Sequence, residues 1–468
     1  MAQSEEDGSD GYSRRRFLAA TGAAGVGVAF GAGTASGGEP EADLRSRFRE
    51  VAADTYGFFE EFTAAGTGFA YDRVDVSGDS PSPAERSSPA NVGVQLLSTV
   101  SAAELGVVDR SRAKERVGTV LDTLESVPTW NGFFFRWYDT ADGTVDRDFG
   151  GYFVSTVDNG WLSAALVVVG QAFPEFSDRT AALLEAQDYG RLYDPEVYHP
   201  FRGEVGSPGQ MYGGYTPEEG PTGFHFGAFD TEPRVASYVG IGKGDVPPEH
   251  WWGMSRVFPP AWGFNQDATG EFRTYDGVEV FEGHYEYLGE TYVPSWGGSM
   301  FESLMPSLVL PERELGRQAL GPNGAAQARV QVKHAEERGY DAWGFSPCAT
   351  PDGYGAFGVE QAGIWGYGEE GIVAPHATLL ASEFLDDATV AANLDALRDL
   401  GAYGDYGFRD SVDVTDGTVT EAYLALDQGM CLVPVANYLT GGAVRRYFRS
   451  DAVGSRPADA LAEERFTG

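Results

Sequence analysis

The amino-acid sequence predicts an all-α protein, an α/α toroid of helical hairpins with long loops and short β pieces. Segments with apolar residues at three- and four-residue spacing recur in sequential pairs, which indicates about a dozen amphipathic helices. Neither the strand–helix alternation of a parallel sheet nor a fixed-period repeat is present in the sequence. A two-domain helical protein is the alternative, although no linker-like break divides the chain after residue 42.

The helical segments are separated by loops rich in glycine and aromatic residues. Residues 189–229 and 258–295 form the longest of these loops, and we expect them to be the walls of a cleft. Short strand-like pieces lie at 132–138 and 278–282. The predicted helices are 44–62, 92–105, 113–124, 162–172, 179–186, 234–241, 300–310, 312–338, 377–385, 389–400 and 421–439.

The charge of the chain indicates the kind of solvent to which the protein is adapted. It has 468 residues, of which 42% are hydrophobic and 13% aromatic, so it can bury a large core. The formal net charge is −37, and Lys114, Lys243 and Lys333 are the only lysines. Molar salt screens such a charge over about 3 Å, so this composition is typical of a halophilic protein. Nucleic acid, anionic membranes and acidic substrates are poor partners for such a surface.

The N-terminal residues 1–38 read as an export signal and linker. Residues 13–18, SRRRFL, precede a weakly apolar run of glycine and alanine, which resembles a twin-arginine (Tat) signal. No second long apolar run follows, so we expect a secreted, extracellular protein without a stable membrane anchor. Residues 39–450 are predicted to form the toroid, and residues 451–468 a flexible C-terminal tail.

Cys348 and Cys431 are the two cysteines of the chain. In an exported protein they can form one disulfide, or they can remain as two buried free thiols. Their spacing leaves both readings open.

The segment 294–306, PSWGGSMFESLMP, joins an aromatic residue, two glycines and a carboxylate at a helix start. Paired glycines allow close backbone approach, and Trp296 offers a flat apolar surface beside Glu302. This combination suits a sugar ring held near an acid. The alternative is structural, because Ser299 and Glu302 have the spacing of a capping box.

Glu232, in the segment DTEPRV, is the strongest candidate for a catalytic acid. Pro233 suits the first position of a helix, and the residue before a proline is kept out of helical geometry. Glu232 is therefore expected at the positive end of the helix dipole. Arg234 either fixes the orientation of Glu232 or binds sugar hydroxyls. The alternative role of Glu232 is that of an N-cap.

Further carboxylates at helix starts or beside aromatic residues are secondary candidates, with capping or solvation as the alternative. They are Asp158, Asp410 and Asp427. His376 follows Pro375 at another predicted helix start and lines the same mouth or is a structural histidine. The histidines lack ligand-pair spacing, and no dinucleotide or acyl-transfer motif has the right context, so no metal and no cofactor is expected. Tryptophans proposed to stack on sugar are Trp161, Trp251, Trp296 and Trp343.

By elimination the chemistry rests on carboxylates and aromatic rings, which suits glycoside hydrolysis. The chain also resembles the glucoamylase-like domain family, whose relatives include endo-β-1,2-glucanases and a domain of cyclic β-1,2-glucan synthases. The matching segments, in order, are GFAYDRVD, NVGVQLLSTVSAAELG, FFFRWYDT, STVDNGWLSAAL, RVASYVGIGKGD, VPSWGGSMFESLMP, WGFSP, APHATLLA, YGFRD and DQG.

The resemblance implies six helical hairpins and supports Glu232 as the catalytic carboxylate. Tyr71 and Asp72, in the GFAYDRVD segment, are further predicted substrate-binding residues. The chain departs from the family pattern S-E-A-R, since it has Thr231-Glu232-Pro233-Arg234. Trp161 also lies where the glucanases suggest a further carboxylate. The partner of Glu232 is therefore open among Asp158, Glu302, Asp410 and Asp427.

The sequence thus predicts an exported, salt-adapted glycoside hydrolase that acts on a glucan or oligosaccharide, including a β-1,2-linked one. The first alternative is a carbohydrate-binding protein of the same fold without catalytic activity. The second is a polysaccharide lyase, which the acidic surface and the lack of a metal motif disfavour.

Overall fold

The computed structural model describes residues 40–466, so the predicted export signal at 1–38 lies outside the described residues. Helices dominate this part of the chain. Their bounds are α1 Pro40–Glu61, α2 Pro89–Leu105, α3 Arg110–Leu124, α4 Thr156–Ala172, α5 Ser177–Glu185, α6 Arg234–Lys243, α7 His250–Gly253, α8 Met300–Leu304, α9 Glu312–Leu315, α10 Leu320–Arg338, α11 Pro375–Ala381, α12 Asp387–Asp399, α13 Ala425–Thr440, α14 Ala443–Ser450, α15 Ala452–Ser455 and α16 Ala458–Glu463.

The strands are short and lie in the loops between helices. They are β1 Arg73–Asp75, β2 Ser82–Pro83, β3 Arg86–Ser87, β4 Thr129–Trp130, β5 Phe133–Phe134, β6 Tyr138–Asp139, β7 Val154–Ser155, β8 Tyr193–Asp194, β9 Val197–His199, β10 Glu204–Gly206, β11 Gln210–Tyr212, β12 Gly214–Thr216, β13 Gly220–Pro221, β14 His225–Phe226, β15 Thr269–Tyr275, β16 Val278–Tyr287, β17 Glu290–Tyr292, β18 Cys348–Thr350, β19 Gly353–Gly355, β20 Ile372–Val373, β21 Tyr403–Gly404, β22 Gly407–Phe408, β23 Val412–Asp413, β24 Thr418–Val419 and β25 Ala422–Leu424.

Six helices pack side by side in cyclic order. Helix α2 packs on α4, α4 on α6, α8 on α11, α11 on α13, and α13 on α2. Arg234 of α6 completes the order by donating hydrogen bonds to backbone oxygens of Glu302 and Ser303 in α8. The helical class predicted from the sequence is confirmed by this packing. The division into six hairpins stays a prediction, because α7 and the β15–β17 sheet stand between α6 and α8.

The remaining long helices pack outside this ring, and burial separates the two sets. Helix α4 is buried along almost its whole length, whereas α3 buries one stripe that includes Ala113, Val117 and Leu121. Such a stripe is typical of a helix with one face in solvent. Close packing of the inner helices depends on glycine: a Cβ on Gly93 of α2 would lie 3.0 Å from the backbone of Trp161 in α4. The core therefore lies between the two layers of helices.

The inner helices begin with polar residues. Ser88, Ser155 and Ser299 are N-caps that accept hydrogen bonds from the backbone three residues on, in α2, α4 and α8. The residues in or beside the first turns are Asn91, Asp158, Glu232, Glu302, His376 and Asp427. Several of these side chains influence one another electrostatically, so these helix starts converge.

The two long loops are folded into antiparallel β structure. The loop at 189–229 contains β8–β14, and the loop at 258–295 contains the β15–β16–β17 sheet. The predicted strand at 278–282 lies within β16. None of the helices within residues 40–466 is both long enough and apolar enough to cross a membrane.

The C-terminal residues do not form the predicted flexible tail, and that prediction is wrong for residues 451–466. Helix α15 packs on α6 of the ring, α16 packs on α9, and Glu464 is 1% exposed. Its carboxylate accepts hydrogen bonds from Arg256 Nε at 2.9 Å and Trp251 Nε1 at 3.0 Å. A buried ion pair of this kind anchors the segment to the domain. Cys348 and Cys431 are both buried free thiols, so the disulfide alternative is wrong.

Candidate functional site

Glu232 faces a cavity of about 870 Å³ that it shares with Glu302, Trp296 and Tyr367. The cavity wall comes mainly from the two long loops, as expected for the walls of a cleft. Helix α6 begins at Arg234, and Pro233 precedes it, so Glu232 lies just outside the helix start. The sequence therefore located this carboxylate correctly relative to its helix.

The surroundings of Glu232 favour its protonated form. The pKa of this carboxyl is raised to about 8, mainly by burial and also by the negative charges of Glu302 and Asp158, while Arg234 opposes the shift. A carboxylic acid that keeps its proton at neutral pH can act as a general acid.

Arg234 does not bind sugar, and that prediction is wrong. It is 1% exposed, and its Nε and Nη2 donate hydrogen bonds to the two carboxylate oxygens of Glu312 at 2.7 and 2.9 Å. The other donors reach the backbone oxygens of Thr231, Glu302 and Ser303 at 2.6–3.2 Å. The alternative reading of Arg234, that it fixes the position of Glu232, fits these contacts.

Glu302 has a structural role as well as a place in the cavity. Its Oε2 accepts hydrogen bonds from Ser295 Oγ at 3.0 Å and from the backbone nitrogen of Gly297 at 2.8 Å. Ser299 caps the helix as expected, while the Glu302 side chain turns back to the Ser295–Gly297 segment. Burial raises the pKa of Glu302, and these donors oppose the shift.

The paired glycines serve a contact within the chain. A Cβ on Gly297 would lie 2.0 Å from the ring of Tyr367, and one on Gly298 would lie 2.0 Å from the backbone oxygen of Val359. Gly298 also has a φ of 76°, which favours glycine. The absence of a Cβ at both glycines therefore allows the Trp296 segment to pack closely against residues 358–367. This contact brings Tyr367 into the cavity.

Asp410, Asp427 and His376 form a second, buried group. His376 Nδ1 lies 3.3 Å from Asp427 Oδ2, and His376 Nε2 lies 2.9 Å from Ser346 Oγ. Burial lowers the pKa of His376 to about 4, so the ring is neutral. His376 is 1% exposed, so these contacts fit the structural alternative, and its predicted contact with sugar stays a prediction.

The carboxyl groups of the two aspartates in this group interact with each other. Burial and the adjacent Asp427 hold the pKa of Asp410 far above its usual range. The pKa of Asp427 is raised to about 7 by burial, and a hydrogen bond from Asp410 opposes the shift. Apart from Asp410, no donor among residues 40–466 reaches either oxygen of Asp427 in hydrogen-bond geometry. A buried carboxylate so poorly supplied with donors is expected to meet water or substrate.

Asp158 and Asp72 connect the two groups. Burial and the charge of Asp72 raise the pKa of Asp158, while its Ser155 cap and Arg136 oppose the shift. Asp72 accepts a hydrogen bond from Asn91 at 2.9 Å, and its Oδ2 lies 3.4 Å from Arg86 Nε. Both aspartates are partly exposed, and so is Tyr71 beside them. Their predicted roles at the site stay predictions.

Of the proposed sugar-stacking tryptophans, Trp296 lines the cavity and is 36% exposed. Trp161, Trp251 and Trp343 are buried in the core, at 2%, 0% and 6% exposure, so their predicted role is wrong. The Trp251 ring packs edge-on against Phe229 and Tyr238.

Two tyrosines of the site were missed by the sequence reasoning. Tyr367 lines the cavity beside Glu302 and Glu232. Its pKa is raised mainly by burial and also by the charges of these two glutamates. Tyr354, in β19, is 57% exposed as a residue, and burial of its hydroxyl, with the charges of Asp427, Asp410 and Glu232, raises its pKa. Glycine-rich loops carry both tyrosines, and no local pattern places these loops. Within residues 40–466, no group of three or more His, Cys, Asp or Glu is arranged to hold a metal ion.

Comparison with known proteins supports the resemblance identified from the sequence. Residues 269–452 match the glycoamylase family model, described as "putative glucoamylase", and residues 50–201 match a domain model of unknown function, DUF3131. The resemblance to the glucoamylase-like family is confirmed by the first of these matches.

Two curated proteins are similar to the chain. Cyclic beta-(1,2)-glucan synthase NdvB of Rhizobium meliloti is 25% identical, over 89% of this chain and 18% of its own length. An exo beta-1,2-glucooligosaccharide sophorohydrolase of Parabacteroides distasonis is 21% identical, over 74% of this chain and 49% of its own length. The chain therefore spans less than half the length of either relative.

A solved structure shares the fold. The endo-beta-1,2-glucanase from Chitinophaga pinensis, in complex with sophorotriose and glucose, superposes with a TM-score of 0.68 at 19% identity. The match covers 90% of this chain and 98% of the glucanase.

Proposed function

We propose that this glucoamylase-like chain is a glycoside hydrolase that cleaves a β-linked glucan or gluco-oligosaccharide, with β-1,2 linkages as the first candidates. The observation that carries the proposal is Glu232, a carboxyl with a pKa of about 8 at a cavity wall. The linkage rests on the relatives, which include a β-1,2-glucan synthase and a sophorohydrolase. The cyclic order of the inner helices supports an α/α toroid as the scaffold.

Glu232 acts as the general acid in this proposal. It holds its proton at neutral pH and gives it to the glycosidic oxygen as the bond to the anomeric carbon breaks. The negative charge of Glu302 keeps the proton on Glu232 until the leaving oxygen develops charge.

Asp427 is the proposed second carboxylate. The hydrogen bond from protonated Asp410 favours the ionised form of Asp427, and its oxygens are otherwise without donors in the described structure. Asp427 would take a proton from water, or attack the anomeric carbon itself. Glu302 is the weaker candidate, because one of its oxygens already accepts two hydrogen bonds.

Residues 13–18 and the net charge of −37 support the proposal that the enzyme is exported and works in concentrated salt. Assays in molar NaCl on a linkage-varied glucan panel test the activity. Activity should be highest on one β-linked glucan, and Glu232→Gln should lower kcat by about 10²–10⁴-fold. Glu219→Gln, at an exposed position, is the matched control. Sugar binding by the wild type without turnover on any glucan would favour the carbohydrate-binding alternative.

The stereochemical course of hydrolysis separates the two roles of Asp427. Proton NMR of the first product anomer distinguishes inversion, which uses activated water, from retention, which uses a covalent intermediate. Full activity of Asp427→Asn would assign the second carboxylate to another acid of the site.

A further inference from the structure

Of the acids proposed for the site, Glu232 and Glu302 line the cavity. The cavity is not lined by Asp72, Asp158, Asp410 or Asp427. In glycoside hydrolysis the general acid contacts the leaving oxygen, while the second carboxylate or its water stands on the opposite side of the anomeric carbon. The side that holds the acid without its partner is therefore the side of the leaving group.

The leaving-group side is lined by aromatic rings that pack on one another. The Trp262 ring stacks on Tyr198, with centroids 6.1 Å apart and planes at 12°, and on Phe258, at 5.4 Å and 24°. Phe264 lies against Phe258 and against Trp296. This wall is a continuous apolar cluster and not a single ring set among hydrogen-bonding groups.

Most polar side chains of the same wall are already committed. Asp194 and His225 pair with each other at 2.9 Å, and Gln210 Nε2 donates to the backbone oxygen of Gly253 at 3.0 Å. Thr231 Oγ1 donates to the backbone oxygen of Ala228 at 2.9 Å. A sugar has hydroxyls around its whole edge, and few free side-chain partners are left for them on this wall. This wall therefore suits an apolar group better than another sugar.

Exposure of the same residues indicates a binding surface. Val205 is 66% exposed, Phe224 56%, Tyr198 48% and Trp262 45%, in a chain with a net charge of −37. Clustered exposed apolar side chains mark sites of interaction. The volume of about 870 Å³ lies within the range of sites for drug-sized ligands.

We propose that the leaving-group side binds an apolar aglycone, so that the substrate class includes glucosides and gluco-oligosaccharides of long-chain alcohols. This inference rests on the proposed function. The bond between the anomeric carbon and the aglycone oxygen breaks, and Glu232 protonates that oxygen. Water adds its oxygen to the anomeric carbon and gives a proton to Asp427, so the products are the sugar and the free alcohol.

The experiment uses alkyl β-sophorosides from methyl to octyl, below their micelle concentrations. KM should fall by about threefold for each added methylene, with kcat nearly constant. Trp262→Ala and Phe224→Ala should flatten this dependence. Phe272→Ala is the control, because Phe272 is 51% exposed and does not line the cavity. A KM independent of alkyl chain length would overturn the inference. So would Trp262→Ala and Phe224→Ala variants that weaken the binding of unsubstituted oligosaccharides and of alkyl sophorosides equally.

Binding without turnover separates this inference from the proposed function. Calorimetry with Glu232→Gln measures the affinity for octyl β-sophoroside and for sophorose. An affinity for octyl β-sophoroside well above that for sophorose supports the apolar site, even if the wild type hydrolyses no substrate. In that case only the proposed function fails. Equal affinities, with rapid hydrolysis of plain glucan by the wild type, would remove the inference and leave the proposed function intact.

Discussion

Arg234 and Glu312 form a two-point ion pair, with Nε–Oε1 and Nη2–Oε2 distances of 2.7 and 2.9 Å, and both residues are at most 2% exposed. The pair joins the start of α6, beside Glu232, to α9, and Arg234 extends the link to the backbone of Glu302. The separation of the two glutamates that face the cavity is thus determined by buried charge.

Glu312→Gln should therefore impair both stability and catalysis. Removing Glu312 leaves Asp230, 3.3 Å from Arg234 Nη1, as the remaining buried carboxylate partner, so the free energy of unfolding should fall by about 3 kcal/mol, at the lower end for a broken buried pair. Denaturant titration measures that loss, and kcat at a permissive temperature should fall more than the affinity for substrate. Glu314→Gln, two residues on and exposed, is the control and should change neither. Wild-type stability in the Gln variant would show that the pair contributes little.

The raised pKa of Glu232 predicts a pH-dependent change in stability. Its pKa is about 4.5 when unfolded and about 8 when folded, so its contribution to stability is full below pH 4.5 and is lost as the pH rises through 8. Glu232→Gln should therefore match the wild type at pH 4 and exceed its free energy of unfolding by up to about 5 kcal/mol at pH 9. Urea unfolding at the two pH values tests this. A constant difference between the two proteins would contradict the raised pKa.

The interaction of Asp410 with Asp427 predicts different effects of the two asparagine substitutions. Asp427→Asn should lower kcat by about 10²–10⁴-fold, because it removes the ionised carboxylate. Asp410→Asn keeps a hydrogen-bond donor to Asp427, so it should retain more activity and displace the rising limb of the pH–rate profile from about pH 7. Profiles of kcat/KM from pH 5 to 9 measure both effects. Equal losses with unshifted profiles would argue against this interaction.

The C-terminal segment should be necessary for folding. Glu464→Gln should lower the free energy of unfolding by about 3 kcal/mol, because Arg256 and Trp251 lose a charged acceptor. Truncation after Ser450 should be more damaging still. Thermal unfolding checks both, with Glu463→Gln at an exposed position as the control. A truncated protein as stable as the full chain would restore the flexible tail inferred from the sequence.

Local chemistry made part of the fold predictable. The serine caps before Asp158 and Glu302 depend on residues three apart, and the structure has both caps. The helix predicted at 312–338 is divided into α9 and α10, and β25 occupies the start of the helix predicted at 421–439. Element ends are decided by packing against distant segments, which apolar spacing does not record.

The site was predictable where it depends on helix starts and not where it depends on distant contacts. Glu232 follows from Pro233, whereas Trp251 is held in the core by Glu464, 213 residues further along the chain. Tyr367 reaches the cavity only because Gly297 leaves room for its ring. Arg234 could be assigned to a buried pair only once Glu312 was placed beside it.

The convergence of the inner helix starts has a consequence for how such a site can change. Part of the support for negative charge at this pole comes from backbone amides and helix dipoles, which are independent of side-chain identity. A carboxylate introduced in the first turn of another inner helix would meet a similar field. The backbone of the scaffold thus stabilises a negative charge at this pole, while the side chains decide which helix carries it. New acid pairs can therefore be designed by moving single carboxylates between neighbouring helices.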